Sequence, residues 1–117
     1  EWDYHRALQR VEQLDDGKHT RCYVYLIDNK IAGVMCGKIV TYVKSVDLMI
    51  EDFYVDPEYQ RMGIGHKMMI LLEKELDEVD NFTLLTGKNF YSVNFYQKNG
   101  FSIKDEVVFM NKKLNNS

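Results

Sequence analysis

Two glycines stand at the junction between an extended apolar run and a helical pattern in this 117-residue chain. Residues 48–55 are rich in β-branched and aromatic side chains, which predicts a strand, and the turn Asp56-Pro57-Glu58 follows. Residues 64–79 then repeat apolar side chains at helical spacing. The segment Gln60-Arg61-Met62-Gly63-Ile64-Gly65 therefore lies where a strand leads into a helix.

Such a junction is suited to bind an anion. The first N–H groups of a helix have no partner within it, and the helix dipole favours negative charge there. Glycine removes the Cβ that would hold a ligand away, so Gly63 and Gly65 predict a cradle for phosphate oxygens. The dinucleotide-binding fingerprint needs a third glycine where the chain has Met68, and the P-loop needs Gly-Lys-Ser/Thr, so neither pattern is met. A tight turn that needs only small residues is an equal alternative on these glycines alone.

The composition narrows the classes of function. Hydrophobic residues make up 45% of the chain, which suffices for a core, and we expect residues 1–117 to form one domain. The net charge of −3 disfavours nucleic acid and permits a cationic substrate. No apolar run reaches the ~20 residues of a membrane span and no signal peptide is visible, so we expect a cytoplasmic protein that does not bind membranes. The histidines and cysteines lack metal-ligand spacing, so we expect no metal.

The pattern along the chain predicts the order α-β-β-β-α-β-α-β. A strand that follows strand and helix should lie parallel to the strand before the helix. Gly33 and Gly37 indicate a bulge or a close backbone approach within the second strand. The predicted helices cover residues 3–14, 64–79 and 92–99, and the predicted strands cover residues 20–27, 31–43, 47–55, 82–86 and 107–112.

Two cysteines do not make a disulfide framework, and a reducing compartment is expected. If Asp28-Asn29-Lys30 is a three-residue hairpin loop, Cys22 lies opposite Cys36. Burial as small apolar residues explains the two cysteines equally well.

Two segments together resemble one family. Phe53-Tyr54-Val55, the turn and Gln60-Arg61-Met62-Gly63-Ile64-Gly65 resemble motif A, Gln/Arg-x-x-Gly-x-Gly/Ala, of the GNAT superfamily of acyl-CoA N-acyltransferases. Residues 89–101, with Phe95-Tyr96 and the closing Gly100-Phe101, are similar to its motif B. Residues 50–55 and 92–96 look most like spermidine/spermine and related small-amine acetyltransferases. The family opens with a strand that the predicted elements lack, so we expect an N-terminally truncated domain without that strand.

The resemblance implies a GNAT-like α/β fold, in which an antiparallel meander is followed by a parallel pair that splays at the coenzyme A site. It implies acetyl transfer from acetyl-CoA to a primary amine. The backbone of Phe53 and Val55 is then expected to pair with the pantetheine arm. Asn89 and Asn94 are candidate hydrogen-bond partners for that arm. The expected pyrophosphate ligands are Gln60, Arg61, Met62, Gly63, Ile64, Gly65 and His66.

Two residues are expected to carry the proton transfers. Tyr96 matches the family's general acid, which protonates the leaving thiolate. An ammonium must lose a proton before it attacks, and Glu51 is the candidate base, directly or through a water. Alternation places Glu51 on the face of Phe53 and Val55, with Asp52 on the opposite face. A bulge would exchange the two carboxylates, so Asp52 is the alternative, and either can bind a cationic substrate.

The resulting prediction is an N-acetyltransferase for a small cationic amine, of polyamine or aminoglycoside type. Acetylation of protein amines and a non-catalytic acyl-CoA-binding regulatory module are the alternatives. Glu51 and Tyr96 favour the enzyme, because coenzyme A binding alone needs neither. Members of the family often form homodimers, so a homodimer is the assembly that the resemblance suggests.

Overall fold

The computed structural model describes residues 7–10, 18–88 and 90–114. These residues divide between two compact units, Glu1–Thr86 and Gly87–Ser117. A 3-10 turn covers Pro57–Tyr59. The described strands and α-helices are β1 (Ala7–Arg10), β2 (Thr20–Ile27), β3 (Lys30–Thr41), β4 (Val46–Val55), α1 (Ile64–Glu75), β5 (Asn81–Leu84) and α2 (Ser92–Lys98).

The first unit is built on a mixed sheet with the strand order β1-β2-β3-β4-β5. The first four strands pair antiparallel with their neighbours. β5 pairs parallel with β4, from Asp47 opposite Asn81 to Ile50 opposite Leu84. The predicted meander followed by a parallel pair is therefore confirmed.

The N-terminal prediction was wrong. Residues 7–10 form β1, paired with β2 from Ala7 opposite Leu26 to Arg10 opposite Tyr23, where a helix was predicted over residues 3–14. A strand thus occupies the sheet edge where the sequence suggested that the family's first strand was missing. The apolar repeat there is short, and pairing with an available strand outweighs such a weak helical pattern. Residues 3–6 and 11–14 lie outside the described part.

The predicted last strand was also wrong. Residues 101–114 contain no regular secondary structure, and Phe109 and Met110 in that segment are 74% and 83% exposed. A strand needs a neighbour with which to exchange hydrogen bonds. The described residues of the second unit form only α2, so that unit offers residues 107–112 no strand to pair with.

The hairpin between β2 and β3 turns on two residues rather than three. Ile27 pairs with Lys30, and Asp28 and Asn29 have φ of 51° and 65°, as a type I′ turn requires. A bulge beyond Tyr25 then shifts the register by one residue. Because the bulge makes up for the shorter loop, Cys22 lies opposite Cys36, as the three-residue loop predicted.

One face of the sheet packs against α1. Ile64, Met68 and Leu72 recur every four residues along the helix and are buried, and Leu76 continues that row beyond the helix end. A Cβ on Gly33 would lie 2.5 Å from the Met68 Sδ, so this glycine permits the close approach. The sheet residues buried in the core are Cys22, Tyr23, Tyr25, Ala32, Met35, Leu48 and Ile50. Each fully buried Met or Leu side chain stabilises the fold by about 1.5–3 kcal/mol.

Candidate functional site

Two hydrogen bonds of Asp56 fix the start of the turn after β4. The Asp56 N–H donates to the Ala32 carbonyl at 2.8 Å, which ties the turn to β3. The Asp56 Oδ1 accepts from the Glu58 N–H at 2.9 Å, and Pro57 opens the 3-10 turn. These bonds determine where the chain enters α1.

The head of α1 presents backbone donors. Its N-cap, Gly63, has φ 74° and ψ 16°, and no side chain caps the helix. The Lys67 N–H donates to the Gly63 carbonyl at 3.0 Å as the first turn closes. The N–H groups of Ile64 and Gly65 precede that bond, so they have no acceptor within the helix. The first turn carries no acidic side chain that would neutralise the positive end of the helix dipole.

The backbone just before α1 is curved. Arg61 and Gly63 both adopt left-handed conformations, with φ of 70° and 74°. Alternating conformations of this kind turn N–H groups toward a common point and form an anion-binding concavity. A Cβ built on Gly63 would have no atom within 4 Å, so the space beside it is open. Donors, dipole and the nearby Arg61 and Lys67 all fit a phosphate group.

Gln60 connects this segment to the end of β4. Its Nε2 donates to the Val55 carbonyl at 3.0 Å, and its backbone N–H donates to the Pro57 carbonyl at 3.3 Å. The Gln60 side chain therefore holds the turn in place, a role that the sequence did not suggest. The Val55 carbonyl, which was expected to pair with the pantetheine arm, already accepts this bond.

β4 extends beyond the strand that runs parallel to it. The last paired residues are Ile50 and Leu84, whereas β4 continues to Val55. Because Asp56 donates toward β3 and backbone groups alternate in direction, Phe53 and Val55 direct theirs to the opposite edge. Among the described residues of the first unit, no strand pairs with that edge beyond Ile50.

A bulge in β4 sets the position of the two candidate carboxylates. Cys36 pairs with Asp52 and Gly37 pairs with Ile50, which leaves Glu51 as the extra residue. Two residues at a bulge oppose one residue of the partner strand, so Glu51 joins Asp52 on the face of Cys36. The prediction that Glu51 shares the face of Phe53 was therefore wrong, because the bulge interrupts the alternation. Asp52 lies on the face opposite to that of Phe53, as predicted.

Lys38 contacts one of these carboxylates. Its Nζ lies 3.7 Å from the Glu51 Oε2, and the two side chains are 58% and 45% exposed. Lys38 follows Cys36 by two positions on β3, so both point to the same face. The sequence reasoning missed this residue, because the β3 side chain that faces Glu51 depends on the register of the two strands, in which Lys38 pairs with Met49.

The Cys36 thiol lies beside the same carboxylates but is not activated. Burial, the hydrogen bond with Cys22, and the charges of Asp52 and Glu51 raise the pKa of Cys36 to about 12. Both cysteines are free thiols. Because the thiolate is the nucleophile, this raised pKa leaves little of the nucleophilic form of Cys36 at neutral pH.

In the second unit, Tyr96 lies on α2 with its ring held between two others. The ring centroid is 5.2 Å from that of Phe95 and 5.3 Å from that of Phe101, both in edge-to-face geometry. Burial raises the pKa of Tyr96, so its phenol is protonated at neutral pH. Asn94 is exposed on the same helix, and Asn89 lies outside the described residues.

Within residues 7–10, 18–88 and 90–114, no three His, Cys, Asp or Glu side chains come together in a way that would hold a metal ion. None of the helices described is both long and apolar enough to cross a membrane.

Comparison with known proteins identifies the family. Residues 1–101 match the acetyltransferase (GNAT) family. The probable spermine N(1)-acetyltransferase of Bacillus subtilis subsp. natto is 25% identical over 112 residues, covering 86% of this chain and 74% of the relative. The spermine/spermidine N(1)-acetyltransferase of Bacillus subtilis strain 168 matches to the same extent, 25% over 112 residues with the same 86% and 74% coverage.

Solved structures share the fold. An aminoglycoside acetyltransferase from an uncultured soil metagenomic sample, meta-AAC0020 in complex with sisomicin, has a TM-score of 0.70 at 21% identity, over 84% of this chain and 68% of that one. A possible acetyltransferase from Clostridium difficile 630 has a TM-score of 0.73 at 18% identity, over 86% of this chain and 70% of that one. Since the family match extends from residue 1 to residue 101, the chain belongs to the GNAT family of acetyltransferases.

Proposed function

We propose that this acetyltransferase moves an acetyl group from acetyl-CoA to a primary amine of a small cationic molecule, of polyamine or aminoglycoside type. The observation that carries the proposal is the arrangement of β4. This strand holds two adjacent carboxylates at its bulge and then leads to the head of α1. Between these two points, no strand in the described first unit pairs with its outer edge. A cationic acceptor and a phosphate-bearing donor would thus be recognised along one strand. The named activities of the relatives point to the same classes of amine.

The donor is proposed to bind by its phosphates and its arm. The N–H groups of Gly63, Ile64, Gly65 and His66 would hold the pyrophosphate, with Arg61 and Met62 in the curved backbone beside it. The backbone of Phe53 and Val55 would pair with the amides of the pantetheine arm, as an added strand does, with the Val55 carbonyl shared with the Gln60 side chain. Asn94 and Asn89 are further proposed partners of that arm. When bound, acetyl-CoA supplies a thioester, whose acyl carbon is open to attack by an amine.

The acceptor is proposed to bind at the bulge. An ammonium has no lone pair, so the site must hold the cation and then remove its proton. Glu51 and Asp52 provide two negative charges on one face, and Glu51 is assigned the role of base. Tyr96 is assigned the role of acid for the leaving sulfur, supported by the motif in which it lies.

The test is release of thiol from acetyl-CoA by the chain, measured over a panel of acceptors. The panel contains spermidine, spermine, an aminoglycoside and a lysine-containing peptide, with Tyr96→Phe as the matched control. We expect saturable release with at least one small cation and much less with the variant. Release with the peptide alone would assign the activity to protein amines.

Calorimetry with coenzyme A separates two further outcomes. Binding without thiol release on any acceptor would make the protein an acyl-CoA-binding module. No heat on addition of coenzyme A would refute the phosphate cradle itself.

A further inference from the structure

Glu51 is in contact with a cation of its own chain. The Lys38 Nζ and the Glu51 Oε2 are 3.7 Å apart, and both side chains are reached by solvent. A primary ammonium therefore already occupies the carboxylate that is proposed to receive the ammonium of the acceptor.

Alternation along β4 brings these two residues together. Lys38 pairs with Met49, and Glu51 follows Met49 by two positions, so Glu51 lies on the face of Lys38. The bulge at Glu51 then adds Asp52 to that face, because Asp52 pairs with Cys36. Lys38 and the two bulge carboxylates therefore share one face of the sheet.

Resting on the proposed function, we propose that Lys38 is a positioning residue that sets the affinity for the acceptor by competing with it for Glu51. In the free protein, the Lys38 ammonium neutralises one of the two bulge carboxylates. An incoming cation must displace it, while Asp52, the neighbouring carboxylate, adds to the attraction. Because exposed ion pairs contribute little, the competition weakens acceptor binding by about two- to fivefold.

The test compares three single variants by steady-state kinetics with spermidine. Lys38→Met removes the charge and keeps the length of the side chain, whereas Lys38→Arg keeps the charge. Lys44→Met removes an exposed lysine from the β3–β4 turn and is the matched control. We expect Lys38→Met to lower the KM for spermidine about two- to fivefold, with kcat changed less than twofold. The KM should stay near wild type in Lys38→Arg and Lys44→Met.

A double variant shows whether Lys38 acts through Glu51. In a Glu51→Gln background there is no carboxylate at position 51 for Lys38 to contact. Adding Lys38→Met should therefore leave the KM for spermidine at the value of Glu51→Gln alone. An unchanged or raised KM for spermidine in Lys38→Met would overturn the inference. So would an equally large fall in this KM when Lys38→Met is added to Glu51→Gln.

Equilibrium binding keeps the inference separate from the proposed activity. If no variant turns over any amine, the proposed activity fails, and calorimetry with spermidine still compares Lys38→Met with wild type. Tighter binding by the variant, with a difference that shrinks as salt is raised, supports the competition. Equal or weaker binding by the variant overturns it.

Discussion

Cys22 and Cys36 lie directly opposite each other on β2 and β3, and their side chains share a hydrogen bond. The Ile39 N–H donates to the His19 carbonyl, which marks the odd-numbered residues of β3 as those that bond to β2. The cysteines therefore form a non-hydrogen-bonded pair, the kind in which facing side chains approach most closely. This arrangement places two thiols on the face that also carries Glu51 and Asp52.

The Cys36 thiol should react slowly in the folded protein. Burial first, and then its neighbours Cys22, Asp52 and Glu51, raise the pKa of Cys36 to about 12. At pH 8 such a thiol is ionised to about one part in 10⁴, against roughly a quarter for an ordinary cysteine. We expect iodoacetamide to alkylate Cys36 at least ~100-fold more slowly in native than in denatured protein, as followed by mass spectrometry. Alkylation should accelerate as the pH rises toward 12, and equal rates in the two states would contradict the assignment.

The hydroxyl group of Tyr96 can be removed without disturbing the packing of its ring. Phenylalanine keeps the edge-to-face contacts with Phe95 and Phe101, so Tyr96→Phe should unfold at nearly the wild-type temperature. Loss of a positioned acid should lower turnover by about 10²–10⁴-fold. Tyr91→Phe is the control, because Tyr91 caps the same helix and is 87% exposed. Turnover in Tyr96→Phe that equals wild type would remove Tyr96 from the mechanism.

The two carboxylates at the bulge should be separable by kinetics. Glu51→Gln and Asp52→Asn each remove one charge and keep the shape of the side chain. If Glu51 is the base, Glu51→Gln should lower turnover of spermidine by about 10²-fold or more, whereas Asp52→Asn should mainly raise its KM. The KM for acetyl-CoA should be unaffected in both. A larger loss of turnover in Asp52→Asn would transfer the role of base to Asp52.

Local pattern predicted most of the sheet and α1, because those elements carry dense signals. β2 is an eight-residue run rich in Tyr, Val and Ile, and α1 repeats buried residues every fourth position. Residues 7–10 and 107–112 carry weaker patterns, and there the outcome depends on whether a neighbouring strand is available. The sequence of a segment shows its β-propensity or helical spacing, but it does not show whether another strand will pair with that segment.

The candidate site also has parts that the local sequence predicts and parts that it does not. The turn and the helix start that form the proposed phosphate cradle followed from local residues, Pro57 in the turn and Gly63 before the helix. The face of Glu51 did not, because a bulge is a property of two paired strands. Nothing at Glu51 itself indicates an extra residue. The glycine at position 37 did indicate an irregularity, and it lies next to the bulge, where a Cβ would come within 2.8 Å of the Met49 carbonyl oxygen.

Arg61 should contribute to donor binding rather than to the chemical step. Its exposed guanidinium stands at the head of α1, where it adds charge beside the backbone donors. We expect Arg61→Ala to raise the KM for acetyl-CoA about fivefold at low salt, with kcat near wild type. Lys74→Ala is the control, because Lys74 lies in the last turn of the same helix. A loss of kcat with an unchanged KM would contradict this role.

Gly63 should be needed for donor binding beyond its effect on stability, and Gly100 offers a matched control. Their φ values are 74° and 95°, and a Cβ on either glycine would meet no atom within 4 Å. Alanine at either position is strained by its backbone alone, at a cost of about 1–2 kcal/mol. Thermal unfolding should therefore show a similar loss of stability in Gly63→Ala and Gly100→Ala. Only Gly63→Ala places a methyl group in the proposed cradle, so only that variant should raise the KM for acetyl-CoA several-fold. A KM that rises equally in both variants would mean that destabilisation, rather than the cradle, explains the effect.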